Sequence, residues 1–218
     1  MNRFAAVIFD LDGTLLNSIA DLADSMNRVL CEMGYAPYET EAYKLMVGEG
    51  VHKLAEKVLP ESEREQKTIE QCVKRLREEY GKRWAEKTRP YEGILELLDE
   101  LTARGMKMSV LSNKLDSFTK LSVSHFFPGH RFEQVMGTIP GVPIKPDPSG
   151  ALFIARELHM KPCQFLFLGD SNTDMQTAVA AGMFPVGALW GFRSEDELWR
   201  SGAKTVISHP HALLALLD

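Results

Sequence analysis

Two acidic side chains, Asp10 and Asp12, lie two positions apart where an apolar run of the sequence ends. The glycine that follows, Gly13, indicates that the chain turns here, so the two carboxylates can be aimed differently. Such a pair can divide a group-transfer reaction, because one carboxylate attacks the electrophile while the other carries a proton. A polar turn without a catalytic role would contain the same residues, so this pair alone leaves both interpretations open.

A second acidic pair, Asp170 and Asp174, also follows a continuous apolar run. Their spacing of four predicts that both carboxylates lie on one face of a starting helix. Together with Asp10 they would form an oxygen-rich site of the kind that Mg²⁺ prefers. A helix N-cap followed by a polar first turn is the alternative.

Three further polar residues, Ser112, Asn113 and Lys145, have the chemistry of a phosphate site. Ser112 and Asn113 follow the apolar run 108–111, and Lys145 opens the segment Lys-Pro-Asp-Pro. A hydroxyl, a turn amide and an ammonium are the groups that phosphate oxygens require. Each is a weak indication by itself, but the four segments in this order favour phosphoryl chemistry.

Short apolar runs of strand length recur along the chain and would position these polar residues. Runs of this kind are typical of strands buried on both faces, and helical patterns separate them. The alternation predicts an α/β fold with a doubly wound, Rossmann-like parallel sheet, in which ligands gather beyond the carboxyl ends of the strands. The predicted strands are 4–9, 108–111, 165–168, 184–188 and, with a weaker pattern, 205–207.

Two helices are predicted beside these strands. Apolar residues between Ile94 and Leu101 share one face, and Gly105 is expected to stop that helix. Asp147 is expected to cap a second helix, with Pro148 as its first residue and its end at Leu158.

Residues 16 to 88 break this rhythm, because their apolar residues recur at helical spacing and we find no convincing strand. One stripe runs from Ile19 to Met33, and a second runs from Ile69 to Trp84. The segment 62–65, Ser-Glu-Arg-Glu, is predicted to be a capping box. We therefore expect a small all-helical cap domain at 16–88, inserted into an α/β core domain formed by 1–15 and 89–218.

Composition and charge exclude several classes of protein. The 218 residues are 44% hydrophobic and 25% charged, which is ordinary soluble usage. A net charge of −5 argues against broad nucleic-acid binding, which needs a basic face. No run approaches the ~20 apolar residues that cross a bilayer, so no membrane contact is expected. The three cysteines are far apart, which argues against a disulfide framework or a zinc site and favours the cytoplasm.

The four motifs together resemble those of the haloacid dehalogenase superfamily, specifically its phosphoglycolate phosphatase-like members with a helical C1-type cap. Looser similarity covers nearly the whole chain, including the segments 47–50, 90–93 and 190–193. The motifs that carry the resemblance are Asp10-Leu11-Asp12-Gly13-Thr14, Ser112-Asn113-Lys114, Lys145-Pro146-Asp147-Pro148 and Gly169-Asp170-Ser171-Asn172-Thr173-Asp174.

The resemblance implies a role for each motif residue. Asp10 matches the nucleophile, and Asp12 matches the general acid and base. The positions that bind the substrate phosphate are matched by Thr14, Ser112, Asn113 and Lys145. The positions that hold Mg²⁺ are matched by Asp10, Asp170 and the backbone carbonyl of Asp12. Asp174 matches the acidic position that supports the metal site, either as a direct ligand or from behind the ligands.

Asn17 departs from the pattern, because relatives often have Asp there. It falls at the mouth of the cap linker, so the departure bears on substrate choice or cap movement. The dehalogenases of the superfamily lack an acid at position 12, so Asp12 argues against that activity. Trp190 and Phe192 match no reacting group, and we interpret both as packing residues.

The activity that the resemblance implies is hydrolysis of a small phosphate monoester, through an aspartyl phosphate and with Mg²⁺. It favours 2-phosphoglycolate as the substrate, and thus a small phosphorylated metabolite as the partner. A sugar phosphomutase of the β-phosphoglucomutase type, an inorganic pyrophosphatase and a nucleotide phosphatase stay open, because all can use this core. Cap residues such as Glu49, Lys53 and Lys57 would decide between them.

A non-enzymatic phospho-receiver is the remaining alternative from a different class, since acid clusters followed by a lysine occur there too. The helical insert and Asp12 as a proton carrier favour the enzyme. The sequence does not decide between a monomer and a dimer.

Overall fold

A computed structural model describes residues 4–217. Its strands are β1 (Ala6–Phe9), β2 (Leu16–Asn17), β3 (Arg89–Pro90), β4 (Lys107–Leu115), β5 (Gln134–Thr138), β6 (Phe165–Gly169), β7 (Phe184–Ala188) and β8 (Thr205–Ile207). Its α-helices are α1 (Ile19–Glu32), α2 (Thr40–Met46), α3 (Val51–Val58), α4 (Gln66–Arg83), α5 (Ile94–Ala103), α6 (Asp116–Phe126), α7 (Ser149–Glu157), α8 (Asn172–Ala181) and α9 (Glu195–Arg200). Short 3-10 helices occupy Glu61–Glu63, Pro162–Gln164 and Pro210–Leu216.

The described chain forms two compact units, and the chain crosses between them twice. One unit is Asn17–Arg89, which we call the helical unit. The other unit consists of the described residues up to Leu16 and of those from Pro90 onward, and we call it the sheet unit. The two crossings carry the short strands β2 and β3, which form a separate two-stranded sheet.

The sheet unit is built on six parallel strands in the order β5-β4-β1-β6-β7-β8. Strand β1 is central and pairs with β4 on one side and β6 on the other. Because all strands run the same way, their carboxyl ends meet at one edge of the sheet. This edge receives the chain segments that follow β1, β4, β5 and β6.

Both faces of the sheet are buried, as the continuous apolar runs predict. In β1, Val7 and Phe9 lie in a cluster with residues of α5 and α6, whereas Ala6 and Ile8 lie in a cluster with residues of α7 and α8. Alternate side chains of one strand therefore pack under helices on opposite faces. This arrangement confirms the predicted doubly wound α/β fold.

The helical unit contains α1 to α4, and α1 packs along α4. The apolar stripes predicted for these two helices are largely buried; Met26 and Leu30 of α1 and Cys72 and Leu76 of α4 are at most 2% exposed. Gly34 has a φ of 84°, a left-handed conformation that ends the first stripe as expected. Among residues 4–217, no helix is long and apolar enough to cross a membrane.

Several predicted element boundaries are wrong. Strand β5 was not predicted at all, because its five residues are half-buried and include a glycine. Strand β4 continues to Leu115, so Ser112 and Asn113 lie inside it rather than after it. The register between β4 and β5 shifts between Leu111 and Leu115, and the polar residues fall in this irregular stretch.

The predicted helix starts are also shifted. The segment 62–65 is no capping box: it lies in and after the 3-10 helix Glu61–Glu63, and α4 starts only at Gln66 with no side-chain cap. Pro148 is the N-cap of α7 rather than its first residue, although the Asp147 carboxylate does accept a hydrogen bond from the backbone N–H of Ser149, 2.8 Å. The two-residue strand Leu16–Asn17 lies where no strand was expected.

Candidate active site

The register of the central strands places Asp10 and Asp170 next to each other. Phe9 of β1 pairs with Leu168 of β6, and the backbone N–H of Asp10 donates to the Leu168 carbonyl at 2.9 Å. Each strand then ends in its acid at the same edge of the sheet. Asp10 is 8% exposed and Asp170 is 1% exposed, so both carboxylates are buried.

Asp174 reaches the same place from the first turn of α8. Its Oδ2 accepts hydrogen bonds from the backbone N–H of Ser171 at 3.0 Å and from the Ser171 hydroxyl at 2.5 Å. Ser171 is the N-cap, so Asp170 precedes the helix and the two acids do not share a helical face as predicted. The capping interpretation is confirmed, because Asp174 closes a capping box with Oδ2, while its Oδ1 contacts Lys145; a role in a metal site stays a prediction.

Lys145 brings one positive charge into this acidic group. Its Nζ lies 2.8 Å from Oδ1 of Asp10 and 2.6 Å from Oδ1 of Asp174, and the ammonium side chain is almost fully buried. The side chain of Asn113 holds the Lys145 backbone with two hydrogen bonds, both 2.9 Å. The irregular end of β4 therefore fixes the loop that delivers the lysine.

The carboxylates of Asp10, Asp170 and Asp174 can place one oxygen each within 4.8 Å of one another. Burial and the charge of Asp174 raise the pKa of Asp10 to about 7, although Lys145 acts in the opposite direction. Burial and the charges of Asp10 and Asp174 raise the pKa of Asp170 well above its ordinary value. Burial acts to lower the pKa of Lys145, but the two acids outweigh it and hold that pKa above its ordinary value.

This cluster fits a divalent cation. Ionisation of three carboxyl groups beside one ammonium would leave an excess of negative charge in a buried place, and the raised pKa values of Asp10 and Asp170 are the physical sign of that excess. A bound cation would supply the missing positive charge. The donors are carboxylate oxygens, which suit a hard cation such as Mg²⁺.

The carboxylate of Asp12 lies outside this group of three. Its two oxygens accept hydrogen bonds from Nζ of Lys114, at 2.9 and 3.1 Å. Lys114 is part of the Ser112-Asn113-Lys114 motif, but the sequence did not predict its role. An ion pair between residues 102 positions apart produces no recognisable spacing in the sequence. The turn at Gly13, with a φ of 95°, aims the two acids differently, as the sequence suggested.

Each of the four predicted phosphate-binding residues has a hydrogen-bond or ion-pair partner at the site. Lys145 and Ser112 are buried at the carboxyl edge of the sheet, and the Ser112 hydroxyl accepts a hydrogen bond from the backbone N–H of Lys114 at 3.2 Å. Thr14 is fully buried and its hydroxyl donates to Oδ1 of Asp170 at 3.1 Å, while the Asn113 side chain binds the Lys145 backbone. The side chains of Thr14 and Asn113 thus contact other site residues.

The residues proposed to choose the substrate lie in the helical unit. Lys57 forms an ion pair with Glu49 at 2.9 Å, and Lys53 forms one with Glu56 at 2.8 Å. All four are partly exposed and remain available to a ligand at the cost of a weak surface pair.

Comparison with known proteins agrees with this geometry. Residues 7–188 match the family model described as haloacid dehalogenase-like hydrolase. A phosphoglycolate phosphatase of Pseudomonas putida is 33% identical over 214 residues, which cover 95% of this chain and 78% of that protein. A phosphoglycolate phosphatase of Haemophilus influenzae is 30% identical over 226 residues, which cover 99% of both chains.

Solved structures give the same result. The crystal structure of a candidate phosphoglycolate phosphatase of Lactobacillus delbrueckii is 28% identical and superposes with a TM-score of 0.93, and the match covers 99% of both chains. A family match over most of the chain, curated relatives along nearly all of it and the shared fold lead to one conclusion: this chain belongs to the haloacid dehalogenase-like hydrolase family and is a phosphoric monoester hydrolase.

Proposed function

We propose that this protein is a Mg²⁺-dependent phosphatase that hydrolyses 2-phosphoglycolate through a phosphorylated Asp10. The observation that supports this most strongly is the buried group of Asp10, Asp170 and Asp174 around Lys145. The substrate is taken from the names of the curated relatives, which are 33% and 30% identical to this chain over most of its length.

The proposed metal site uses the carboxylates of Asp10, Asp170 and Asp174, together with the backbone carbonyl of Asp12. Mg²⁺ bound there would neutralise charge on the transferring phosphoryl group. Thr14, Ser112, Asn113 and Lys145 are proposed to bind phosphate oxygens, and Thr14 and Asn113 also contact Asp170 and the Lys145 backbone.

Asp10 is the proposed nucleophile. Its ionised carboxylate attacks phosphorus, a new P–O bond forms to Asp10, and the bond from phosphorus to the substrate oxygen breaks. Lys145 orients Asp10 through the 2.8 Å contact with Oδ1 and favours the ionised state that attack requires. Water then attacks the phosphorus of the aspartyl phosphate, releasing inorganic phosphate and restoring Asp10.

Asp12 is the proposed proton carrier for both steps. It gives a proton to the leaving oxygen in the first step and takes one from the attacking water in the second, so the protons balance over one turnover. Lys114 contacts both of its oxygens and limits their rotation, which keeps the carboxyl group in one orientation. An acid held in place in this way donates at a defined position rather than from many rotamers.

The helical unit is proposed to act as a cap that selects the substrate, and Glu49, Lys53 and Lys57 are the proposed contacts. Asn17, the exposed second residue of β2, occupies the proposed hinge. The cytoplasmic location expected from the cysteines remains a prediction.

The test is release of inorganic phosphate from 2-phosphoglycolate, measured with Mg²⁺, with excess chelator and with Mg²⁺ restored. We expect kcat/KM for 2-phosphoglycolate to exceed that for sugar phosphates and nucleotides by about tenfold or more, and chelation to abolish release. Asp10→Asn should remove turnover, and quenched labelling of the parent should place phosphate on Asp10.

Three results would contradict the proposal. Full activity in excess chelator would exclude the metal requirement, and label on Asp12 or Asp170 would exclude the assigned nucleophile. Phosphate returned to a sugar in the presence of a bisphosphate activator would show a mutase instead.

A further inference from the structure

The segment that follows β7 binds Asp170 directly. The backbone N–H of Phe192 donates to Oδ2 of Asp170 at 2.8 Å, while the Thr14 hydroxyl donates to Oδ1 of the same carboxylate at 3.1 Å. Each oxygen of Asp170 therefore has a donor from a different part of the chain. Two donors on opposite oxygens fix the rotation of the carboxylate about its Cβ–Cγ bond.

Trp190 links this segment to the turn that carries the catalytic acids. Its indole Nε1 donates to the backbone carbonyl of Thr14 at 2.9 Å, although the two residues are 176 positions apart. The peptide that Trp190 holds belongs to the residue whose hydroxyl binds Asp170. The indole thus supports one of the two donors, and the backbone two residues later supplies the other.

Asp170 occupies space that is free because two neighbouring residues are glycines without side chains. A methyl group at Gly191 would overlap the Cβ and carboxyl atoms of Asp170, and one at Gly13 would overlap its carboxyl group. Asp170 therefore lies between two backbone segments with no room for a side chain on either. A glycine is needed at position 191 because of this close approach. It is not needed for a left-handed backbone, since the φ of Gly191 is not positive.

We propose that Trp190, Gly191 and Phe192 form a positioning segment for the metal site, in which Trp190 and Gly191 set the affinity for Mg²⁺ by holding Asp170. This inference rests on the proposed function only in that Asp170 is taken as a metal ligand. It adds to the packing interpretation and does not replace it, because Trp190 also packs against the hydrophobic core and Phe192 acts through its backbone N–H. Partners that orient a metal ligand commonly change metal affinity by about 10- to 100-fold when they are lost.

Trp190→Phe is the sharpest variant, because it keeps an aromatic ring against the core while it removes the N–H donor, together with part of the indole volume. Trp199→Phe is the matched control: Trp199 lies on α9, is 45% exposed, and donates its indole N–H to Glu195 at 3.1 Å. Two values are measured for each protein: the dissociation constant for Mg²⁺, by calorimetric titration, and the Mg²⁺ concentration that gives half-maximal phosphate release. We expect both values to rise about tenfold in Trp190→Phe and to stay unchanged in Trp199→Phe.

The effect on activity should be recovered by adding Mg²⁺, because the segment positions the ligand and does not touch the substrate. Gly191→Ala should weaken binding further, about 100-fold, since its methyl group displaces Asp170. Thermal unfolding of each variant in chelator checks that the fold is intact. If Gly191→Ala does not fold, Trp190→Phe carries the test alone.

Three outcomes would overturn the inference, and they can be told apart. If the parent binds Mg²⁺ and Trp190→Phe binds it equally well, the segment has no role in metal affinity, while the proposed function stands. If the parent binds no Mg²⁺ and hydrolyses phosphate esters in chelator, the metal site and this inference both fail. A fall in kcat that no amount of Mg²⁺ recovers, with unchanged affinity, also contradicts a positioning role.

Discussion

Two buried acids of the helical unit, Asp21 and Glu79, have more donor groups around them than Asp170 of the sheet unit has. Asp21 of α1 is 1% exposed and its carboxylate accepts hydrogen bonds from the backbone N–H groups of Lys87 and Thr88 and from the Thr88 hydroxyl, between 2.7 and 3.0 Å. These bonds tie the first helix of the unit to the segment where the chain leaves it. Three donor groups therefore stabilise the Asp21 carboxylate.

Glu79 of α4 is a second example from the helical unit. Arg28, Lys82 and Arg83 surround its carboxylate at 2.9 to 3.2 Å. The hydrogen bond from Lys82, against the opposing effect of burial, lowers the pKa of Glu79 below its ordinary value, with the charges of Lys82, Arg83 and Arg28 acting in the same direction. This acid is stabilised in its ionised form.

The sheet unit has the opposite arrangement, with three buried acids near one lysine and raised pKa values for Asp10 and Asp170. Burial alone therefore does not distinguish a structural acid from a functional one. The number of positive charges and donors around each carboxylate does so, because a deficit of them indicates a place for a ligand.

Removing the one buried cation of the site should give the largest effect. Lys145→Met leaves the carboxylates of Asp10 and Asp174 without their ammonium partner, a loss that typically costs about 3–5 kcal/mol. We expect the Tm in chelator to fall by roughly 10 °C and phosphate release to fall by about 10³-fold or more. Lys120→Met, which removes an exposed lysine paired with Asp116 at 2.7 Å, should change neither. Near-parental activity in Lys145→Met would show that the site does not need this charge.

Asp21→Asn tests the structural acid of the helical unit. The amide nitrogen replaces an acceptor that faces backbone N–H groups, so at least one buried donor loses its partner, at a cost of about 2–3 kcal/mol. The Tm should fall by about 6–9 °C, while kcat of the folded enzyme stays close to that of the parent. The control is Asp24→Asn, because Asp24 also contacts Lys87, at 2.6 Å, but at the surface. A loss of kcat without a loss of Tm would assign Asp21 to the reaction instead.

Asp10→Asn should change the pH dependence of stability in the metal-free protein. Because the folded pKa of Asp10 is raised from 3.8 to about 7, its stabilising contribution is complete below about pH 4 and is lost as the pH rises through 7. The parent should therefore lose roughly 2 kcal/mol relative to Asp10→Asn between pH 5 and 8, or about 4–8 °C in Tm. Thermal unfolding in chelator at both pH values measures this, and parallel curves for the two proteins would contradict it.

Glu79→Gln should show a smaller effect with the opposite sign. The lowered folded pKa of Glu79 means that its contribution is present above the ordinary value of 4.5 and is lost as the pH falls through the lowered value. We expect the variant to melt about 2 °C below the parent at pH 7, and the difference to vanish once the pH falls below the lowered pKa of Glu79. A difference that grows towards low pH would show that Glu79 is not stabilised by its cations.

Much of the sheet was predictable from sequence because buried parallel strands are continuous apolar runs. Strands β7 and β8 have the bounds that were predicted, and β1, β4 and β6 contain theirs or lie within them. Strand β5 could not be found in this way: it is an edge strand, half-buried throughout, and its pairing with β4 depends on tertiary contacts. The predicted capping box failed because a 3-10 turn intervenes before α4.

The residues of the site were predictable in kind but not in their contacts. Asp10, Asp170 and Asp174 were expected together, because the carboxyl ends of neighbouring parallel strands meet. The pairing of Asp12 with Lys114, and of Trp190 with Thr14, spans more than 100 positions and has no sequence periodicity. The phosphate binding expected of Thr14 and Asn113 stays a prediction, and the contacts of their side chains with Asp170 and the Lys145 backbone were not predicted.

Strand β1 is central in the sheet but precedes its neighbours β4 and β6 in the chain, so the contacts around Asp10 become possible in a definite order during translation. Asp10 is synthesised before Lys145 and Asp174, which surround it, and before Phe192, which donates to its neighbour Asp170. The helical unit is translated in between, and once residue 89 has been added both Asp21 and Glu79 already have every partner named above. During translation the acids of the helical unit therefore gain their partners first, whereas Asp10 remains without its lysine partner until residue 145 has been added.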